Sequence, residues 1–402
     1  MAELDLIIFD DAMARSWYPF SLTRPAGELL LGTMTLRERA ERVTRTACAG
    51  HVCSTDLAGF DEAGAPPALD PAKLAAGRAR LFLSSRCVLP WDAQLDLTHE
   101  ATLSVADQIA GWLLPPGAAA PLPDEILVPG KARGSVQTVG GVMLEKVWDL
   151  IERNHDYVAA DALHFQPSNE PTSRLANAQT FGDYPLMCGA AVSIEPGTVF
   201  DLSAGPVWLD DRVSVRAFSR IAGPTYVGKG STLLGGSYTA SSIGPACKVH
   251  GEIEASVLLG FSNKAHDGFL GHAYVGQWVN LGAFTTNSDL KNNYSNVRVW
   301  TPAGEVDTGL MKLGSLIGDH VKTAIGTLLN TGTVIGPGCN IIGGMPPKHV
   351  ASFSWGDGEY ALDKFLEAAQ LAMQRRQVVL SAQQRELLAR AWYRTRGRPG
   401  EQ

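Results

Sequence analysis

Aliphatic residues recur every sixth position through the middle of this chain. Leu209, Val215, Ile221, Val227 and Leu233 step by six, as do Ile243 and Val249, then Val275 and Leu281. Ile317, Thr323, Leu329, Ile335 and Ile341 hold the same register further on. A step of six matches neither the 3.6-residue period of an amphipathic helix nor the alternation of a strand. It fits a solenoid in which each hexad makes one flat face of a triangular coil and three hexads complete a turn. The aliphatic residue then points into the core, and small residues turn the corners. An ordinary β-sandwich with regularly spaced turns is the competing architecture.

The repeat occupies roughly residues 190–345, and the flanks have a different texture. Before it, strand-like runs ("LDLIIF", "ARLFLSS") mix with helix-like ones ("TMTLRERAERVTR", "VMLEKVWDLIERNHDYVAADALHF"). In the last, Val142, Leu144, Val147, Leu150 and Ile151 fall on one helical face. Strands and helices in this mixture predict an α/β layer domain over 1–175. "LPPGAAAPLPDEILVPG" (113–130) reads as an exposed loop. After the repeat, a proline stop in "GGMPPKHV" precedes helical composition over 351–402. Helices there are expected to cap the open solenoid end.

Two stretches break the repeat. "GFSNKAHDGFLGH" (260–272) gathers Asn263, Lys264, His266 and Asp267, and "TNSDLKNNYSNVRVWTPAGEVDTGLMK" (286–312) is an asparagine-rich insertion that must project from the coil. Each reads either as solvated loop or as the place where a solenoid does chemistry.

Composition bounds the alternatives. A hydrophobic fraction of 45% with 19% charged residues is that of a globular protein, and a net charge of −7 argues against a nucleic-acid surface. The arginines crowding the C-terminal region read as a solvated helix face. The start "MAELDLIIFDD" reads as a first strand rather than a signal peptide, and no run is long enough to span a bilayer. The six cysteines show neither metal-ligand nor disulfide spacing, which suits a reduced cytoplasm. No metal site is expected from the residues alone.

The segment "NKAHDGFLGHAYVGQWVNLGAFTTNSDLKNN" resembles the acetyltransferase part of the GlmU-like group: bifunctional glucosamine-1-phosphate acetyltransferase and N-acetylglucosamine-1-phosphate uridyltransferase relatives. There a histidine precedes an aromatic and Leu-Gly, followed by a Val-Asn-(Ile/Leu)-Gly-Ala run. The resemblance implies a nucleotidyltransferase-like, Rossmann-like α/β domain over 1–175. It implies a left-handed parallel β-helix acyltransferase domain over 176–350, with the helical cap after it. It places His266 at the catalytic base and Phe269 where a substrate-contacting tyrosine is usual. Asn280 falls where an asparagine contacts the sugar, and Ala283 and Thr327 fall on the acetyl-CoA side. Asp289 stands where an asparagine is expected. On that hypothesis Asn287, Lys291, Asn292, Asn293 and Tyr294 hold the sugar and its phosphate, and Lys312 reaches a CoA phosphate. The implied function is N-acetyl transfer from acetyl-CoA to an amino-sugar 1-phosphate or nucleotide sugar, by a homotrimer built through the β-helix.

The N-terminal likeness is an outline. "YPFSLTRPAGELLLGTMTLRER" (18–39) reads like the family's Pro-Leu-Thr…Arg/Lys-Pro segment, but "FDDAMARSW" (9–17) replaces the glycine-rich phosphate loop. "LFLSSRCVLP" (81–90) offers Ser85 and Arg86 where a strand normally ends in a Mg²⁺-binding aspartate. The domain reads as degenerate for nucleotidyl transfer, needing Mg²⁺ only if active, with Asp10, Asp11 and Asp92 as the available carboxylates. Arg15, Arg24 and Arg37 are candidates for binding a phosphorylated ligand, or equally surface or salt-bridged arginines. A nucleotidyltransferase with an atypical phosphate site and a non-catalytic ligand-binding scaffold are the alternative functions.

Overall fold

A computed structural model describes residues 4–74, 77–165 and 178–397. They form two compact units. One comprises Met1–Leu29, Met34–Val147 and Ser381–Gln402; the other comprises Leu30–Thr33 and Trp148–Leu380. The expected boundary at 175/176 falls outside the described residues.

The first unit is a six-stranded mixed sheet. In chain order the strands are β1 (Leu4–Phe9), β2 (Cys48–Val52), β3 (Ala79–Ser84), β4 (Ala101–Val105), β5 (Gln108–Leu114) and β6 (Ser135–Thr138), in the spatial order β2-β1-β3-β5-β4-β6. β1 runs parallel to β2 and β3, whereas β5 is antiparallel to its neighbours. The unbroken apolar run of β1 suits a central strand buried on both faces. Ile7 and Phe9 pack with Phe82, Trp112 and Ile126 on one side, and Leu6 and Ile8 with Leu81, Leu83 and Leu103 on the other. α1 (Ala12–Arg15) follows β1, and α2 (Leu36–Thr44) begins with a capping box. There Thr35 Oγ1 accepts from the Glu38 amide at 3.1 Å, and the Glu38 carboxylate accepts from the Thr35 amide at 2.9 Å.

Two local expectations are corrected. The 113–130 stretch is not all loop, because a proline-started α3 (Pro123–Leu127) buries Ile126. The helix expected from Val142 begins later, since Val142–Met143 pairs as a strand with Cys87–Val88 and helix starts only at α4 (Asp149–Glu152) and α5 (Asn154–His164). Leu144, Val147, Leu150 and Ile151 are still buried, so the apolar pattern reported burial correctly and period wrongly.

The second unit is a left-handed parallel β-helix. One of its two nine-stranded sheets runs from Leu186–Cys188 to His349–Val350 with every pair parallel. Leu209, Val227, Ile243, Leu258, Val275, Ile317, Ile335 and Val350 stack in register down its inner side. Corner hydroxyls satisfy the backbone where the coil turns: Thr198, Thr225 and Thr333 each donate to the carbonyl three residues back, at 2.6–2.8 Å. The asparagine-rich insertion is ordered, with an antiparallel hairpin (Arg298–Thr301 with Gly304–Asp307) and a Leu290–Lys312 bridge at its base. Trp300 of the hairpin stacks on His349 at 3.5 Å between ring centroids.

The C-terminal helices do not cap the solenoid together. α6 (Leu362–Gln374) packs on it, with Phe365 edge-on to Phe353 at 4.9 Å and to His320 at 5.9 Å. α7 (Ala382–Arg394) belongs to the first unit, where Arg394 pairs with Asp56 at 2.6 Å.

Candidate functional site

The 260–272 break is a coil corner rather than an interruption. Asn263–Lys264 and Phe269–Gly271 remain strands, and residues 265–268 turn between them. Gly268 requires its lack of a side chain: its φ is +131°, and a Cβ there would lie 2.2 Å from the Thr285 carbonyl oxygen. Gly236 and Gly251 make the same close approach in the coils beneath. Their shared emptiness lets the coils stack tightly at this edge.

Below that corner the aliphatic column is broken by a lysine. Val215, Leu233 and Val249 are followed in register by Lys264, which is 1% exposed. Its amine reaches the glycine corner and donates to the carbonyls of His250, at 3.2 Å, and His266. Burial lowers its pKa to about 8. The backbone that presents His266 is therefore tied from inside the coil by a buried amine.

His266 itself is exposed and makes no side-chain hydrogen bond among the described residues. Its neighbour Asp267 turns to His250 instead, at 2.9 Å from Nε2, while His250 Nδ1 lies 3.0 Å from the Leu234 carbonyl. This agrees with the alternation of adjacent side chains along an extended backbone.

His266 stands at a cleft of about 880 Å³ on the outer face of the solenoid. Asn280 and Ala283 line the same cleft, so three of the residues singled out from sequence come together. Asn263 Nδ2 donates to Asn280 Oδ1 at 3.3 Å, and Asn263 Oδ1 accepts from Arg376 Nη2 at 2.6 Å. Thr323 on the floor joins Thr285 Oγ1 at 2.7 Å and accepts from the Gly282 amide at 2.9 Å. Asn263 and Lys264 were legible as an odd cluster in the repeat. Arg376 carried no local signal.

The other candidates lie elsewhere. Phe269 is on the next face of the coil, its amide bonded to Thr286 Oγ1 at 3.1 Å. Asn287 is buried, and its amide pairs with both backbone groups of Gly271 at 2.8 and 2.9 Å, so it bridges coils and has no group left for a sugar. Asp289 holds His272 Nδ1 at 2.7 Å. Burial raises its pKa, but the His272 contact outweighs this and keeps the carboxyl below its ordinary range. Thr327 is fully buried and donates to the Ala324 carbonyl at 2.8 Å, the same corner bond made by Thr198, Thr225 and Thr333. It is a corner residue whose hydroxyl is committed to the backbone. Lys312 pairs with Glu254 at 3.4 Å. Lys291 donates within its own loop to the Asn296 carbonyl, and Asn293 accepts from Ser295 at 2.9 Å. Asn292 and Tyr294 are exposed in that loop, away from the cleft.

In the first unit the arginines offered for phosphate are already engaged. Arg24 is buried and bonded to Glu62 at 2.9 Å. Arg37 forks onto Glu28 at 2.6 and 3.2 Å and reaches Glu41 at 2.6 Å, and His51 contacts the same Glu28 at 2.7 Å. Burial raises the Glu28 pKa, but His51 and Arg37 together hold it below the ordinary value. Arg15 donates to the Asp10 carbonyl at 2.9 Å. Asp11 caps α1 and takes a fork of bonds from Arg86 at 2.6–3.0 Å. Asp10 is buried and accepts from the Ala26 amide at 3.1 Å; burial raises its pKa. Asp92 stands apart on an exposed turn. These carboxylates do not fit a Mg²⁺–triphosphate site, because Asp11 is neutralised by Arg86 and Asp10 is sealed from solvent. No group of three or more His, Cys, Asp or Glu side chains among the described residues is arranged for a metal. No helix among them is long and apolar enough to cross a membrane.

Residues 6–168 match the family described as sugar nucleotidyl transferase. The chain is 30% identical over 109 residues to a bifunctional sugar-1-phosphate nucleotidylyltransferase/acetyltransferase of Sulfurisphaera tokodaii, covering 27% of this chain and 26% of that protein. It is 28% identical over 88 residues to the bifunctional protein GlmU of Methanocaldococcus jannaschii, covering 22% and 21%. The matched stretches thus span about a quarter of the relatives' length. With the sheet domain and the β-helix, these likenesses identify the chain as similar to the GlmU-like group.

Proposed function

We propose that this protein transfers an acyl group from an acyl-CoA, acetyl-CoA foremost, to the amine of a sugar 1-phosphate or nucleotide sugar, with His266 as general base. The observation that carries this reading is the imidazole of His266, without a side-chain partner among the described residues, at a cleft shared with Asn280 and Ala283. An amine attacks a thioester only when unprotonated, and histidine titrates in the range where it accepts that proton. The amine nitrogen forms a bond to the acyl carbon, the carbon–sulfur bond breaks, and the proton passes by way of His266 to the departing thiolate. The two bifunctional relatives, one named an acetyltransferase, support the same class of reaction. Exposed apolar corners at Phe284 and Ile325 suit a trimer packed through the solenoid, and a cytoplasmic setting fits the substrates proposed.

The test is thiol release from acetyl-CoA with glucosamine-1-phosphate and galactosamine-1-phosphate, wild type beside His266→Ala. We expect release that falls at least 100-fold in the variant. Equal release from both proteins removes His266 from the mechanism.

A second reading attaches to residues 6–168, whose family match is to nucleotidyl transfer. For that segment we propose a nucleotidyltransferase-like fold without turnover, since Asp11 is engaged with Arg86, Arg24 with Glu62 and Arg37 with Glu28 rather than open to a triphosphate. Pyrophosphate release from a nucleoside triphosphate and a sugar 1-phosphate would overturn that.

A further inference from the structure

Arg80 carries a charge where the sheet of the first unit calls for an apolar side chain. It stands two residues before Phe82 on β3, so it points to the face that Phe82, Trp112 and Leu114 make apolar. Its register partners are Asp5 on β1 and Leu114 on β5. Asp5 is the carboxylate placed to neutralise it, yet Asp5 pairs with Arg78 instead, at 3.3 Å. Arg80 is only 2% exposed. Its Nη2 donates to the Ala118 carbonyl, while its Nε is sealed from solvent and makes no hydrogen bond among the described residues. Three other buried arginines of this unit meet carboxylates: Arg24 meets Glu62, Arg37 meets Glu28 and Arg86 meets Asp11.

Arg80 lines a cavity of about 390 Å³. The walls come from the turn at 70–74 and from the loop at 117–123 that joins β5 to α3. Leu74, Ala118, Ala120 and Pro121 make most of the lining apolar. Leu74, Ala118 and Ala120 also pack on the core around Phe82 and Trp112, which anchors that wall. Asp70 is the acidic group of the lining; it is exposed, and Lys73 answers it at 3.6 Å. An apolar hollow of this size with few polar groups to fix orientation is the ordinary form of a small-molecule site. It sits near the start of β3, at the opposite end of that strand from the polar cluster of Asp10, Ser85 and Arg86. A charge buried without a counter-ion is costly, and burial pulls the Arg80 pKa down by more than Asp5 restores. The Ala118 carbonyl supplies a dipole but no charge.

We propose that this cavity binds a small organic carboxylate, with its charged end on the Arg80 guanidinium and its apolar body along the alanine–proline wall. A planar guanidinium takes a carboxylate edge to edge through parallel N–H bonds. One guanidinium balances one negative charge, and Asp70 in the lining repels a second, so a phosphate dianion is the poorer match. The apolar wall rewards a ligand that has a short aliphatic body to bury there. The carboxylate would supply the counter-ion that Asp5 does not. This site is independent of the acyl-transfer reading, because it lies wholly within the first unit and His266 belongs to the second.

The test is equilibrium binding to the full chain by ligand-observed NMR. Hexanoate is the probe, hexanamide its uncharged counterpart and inorganic phosphate the competing anion. The variants are Arg80→Met, Ala119→Leu in the lining, and Arg45→Gln as an exposed arginine of the same unit outside the cavity. We expect hexanoate to bind saturably, with hexanamide and phosphate at least tenfold weaker. Arg80→Met should weaken hexanoate at least tenfold, and Arg45→Gln should leave it unchanged. Ala119→Leu fills the cavity from an exposed loop and should also weaken hexanoate at least tenfold. It reads the site even where Arg80→Met disturbs the sheet. Absence of saturable hexanoate binding, equal binding of hexanamide, tighter binding of phosphate, or equal hexanoate binding across the three variants overturns the inference.

Discussion

Replacing Lys264 by methionine changes how the stability of the solenoid responds to pH, and the sign follows from where the amine lies. In the folded chain its pKa is lowered by burial to about 8, against 10.5 for an ordinary lysine. Between those values the unfolded chain holds the proton and the folded chain has released it. Stability therefore rises with pH across that window, at roughly 1.4 kcal/mol per pH unit, and is flat on either side. The whole gap corresponds to about 3 kcal/mol. A neutral amine still has two hydrogens, one for each of the carbonyls of His250 and His266, so losing the proton costs no hydrogen bond. Methionine, unbranched and of similar length, restores an apolar side chain to the column of Val249 but leaves both carbonyls unanswered. The assay is urea unfolding of wild type and Lys264→Met at a series of pH values from 7 to 10.5. Taking the difference between the two proteins removes every other titrating group. That difference should favour the wild type increasingly above pH 8, growing by about 3 kcal/mol by pH 10.5. A difference that stays constant over the range refutes the argument, because the amine would then titrate alike in both states.

Two further substitutions test residues whose roles changed between sequence and structure. Arg37→Met should destabilise the first unit by roughly 3–5 kcal/mol in urea unfolding, because it strands the buried Glu28 carboxylate with His51 alone; a loss near zero would return Arg37 to the pool of free phosphate ligands. Asn287→Ala should cost roughly 2–4 kcal/mol by leaving the Gly271 amide and carbonyl unpaired, with the KM for sugar unchanged in the folded fraction. A raised KM at unaltered stability would make Asn287 a substrate contact after all.

The solenoid was legible because its rule is local and repeated. Each hexad buries one side chain whatever the rest of the chain does, so Leu209, Val227 and Ile335 announce the same coil from distant parts of the sequence. The apolar run of β1 is legible for a related reason, since a strand buried on both faces is apolar at every position whichever distant strands it meets. The Val142–Ile151 stretch shows the limit of such rules. Its apolar positions are buried as expected, yet strand pairing with Cys87–Val88 overrode the helical period at its start.

The candidate site divides along the same line. His266, Asn280 and Ala283 lie within eighteen residues of one another along the repeat, and one coil's rise brings them to a common cleft. Phe269 and Asn287 are as near in sequence, but the triangular cross-section turns them onto another face.

By itself the sequence determined the hexad period and the coil it dictates, because these follow from which residues can face inward every sixth step; that the stretch carrying His266 is a corner of that coil and not a break in it came from the structure. Only the tertiary structure decided the charges. That Arg24, Arg37 and Arg86 meet carboxylates, that Lys264 occupies an aliphatic column, and that Arg376 reaches Asn263 across 113 residues of chain are all facts of long-range packing. A charged side chain takes its meaning from the burial and partners around it, and the fold alone assembles those.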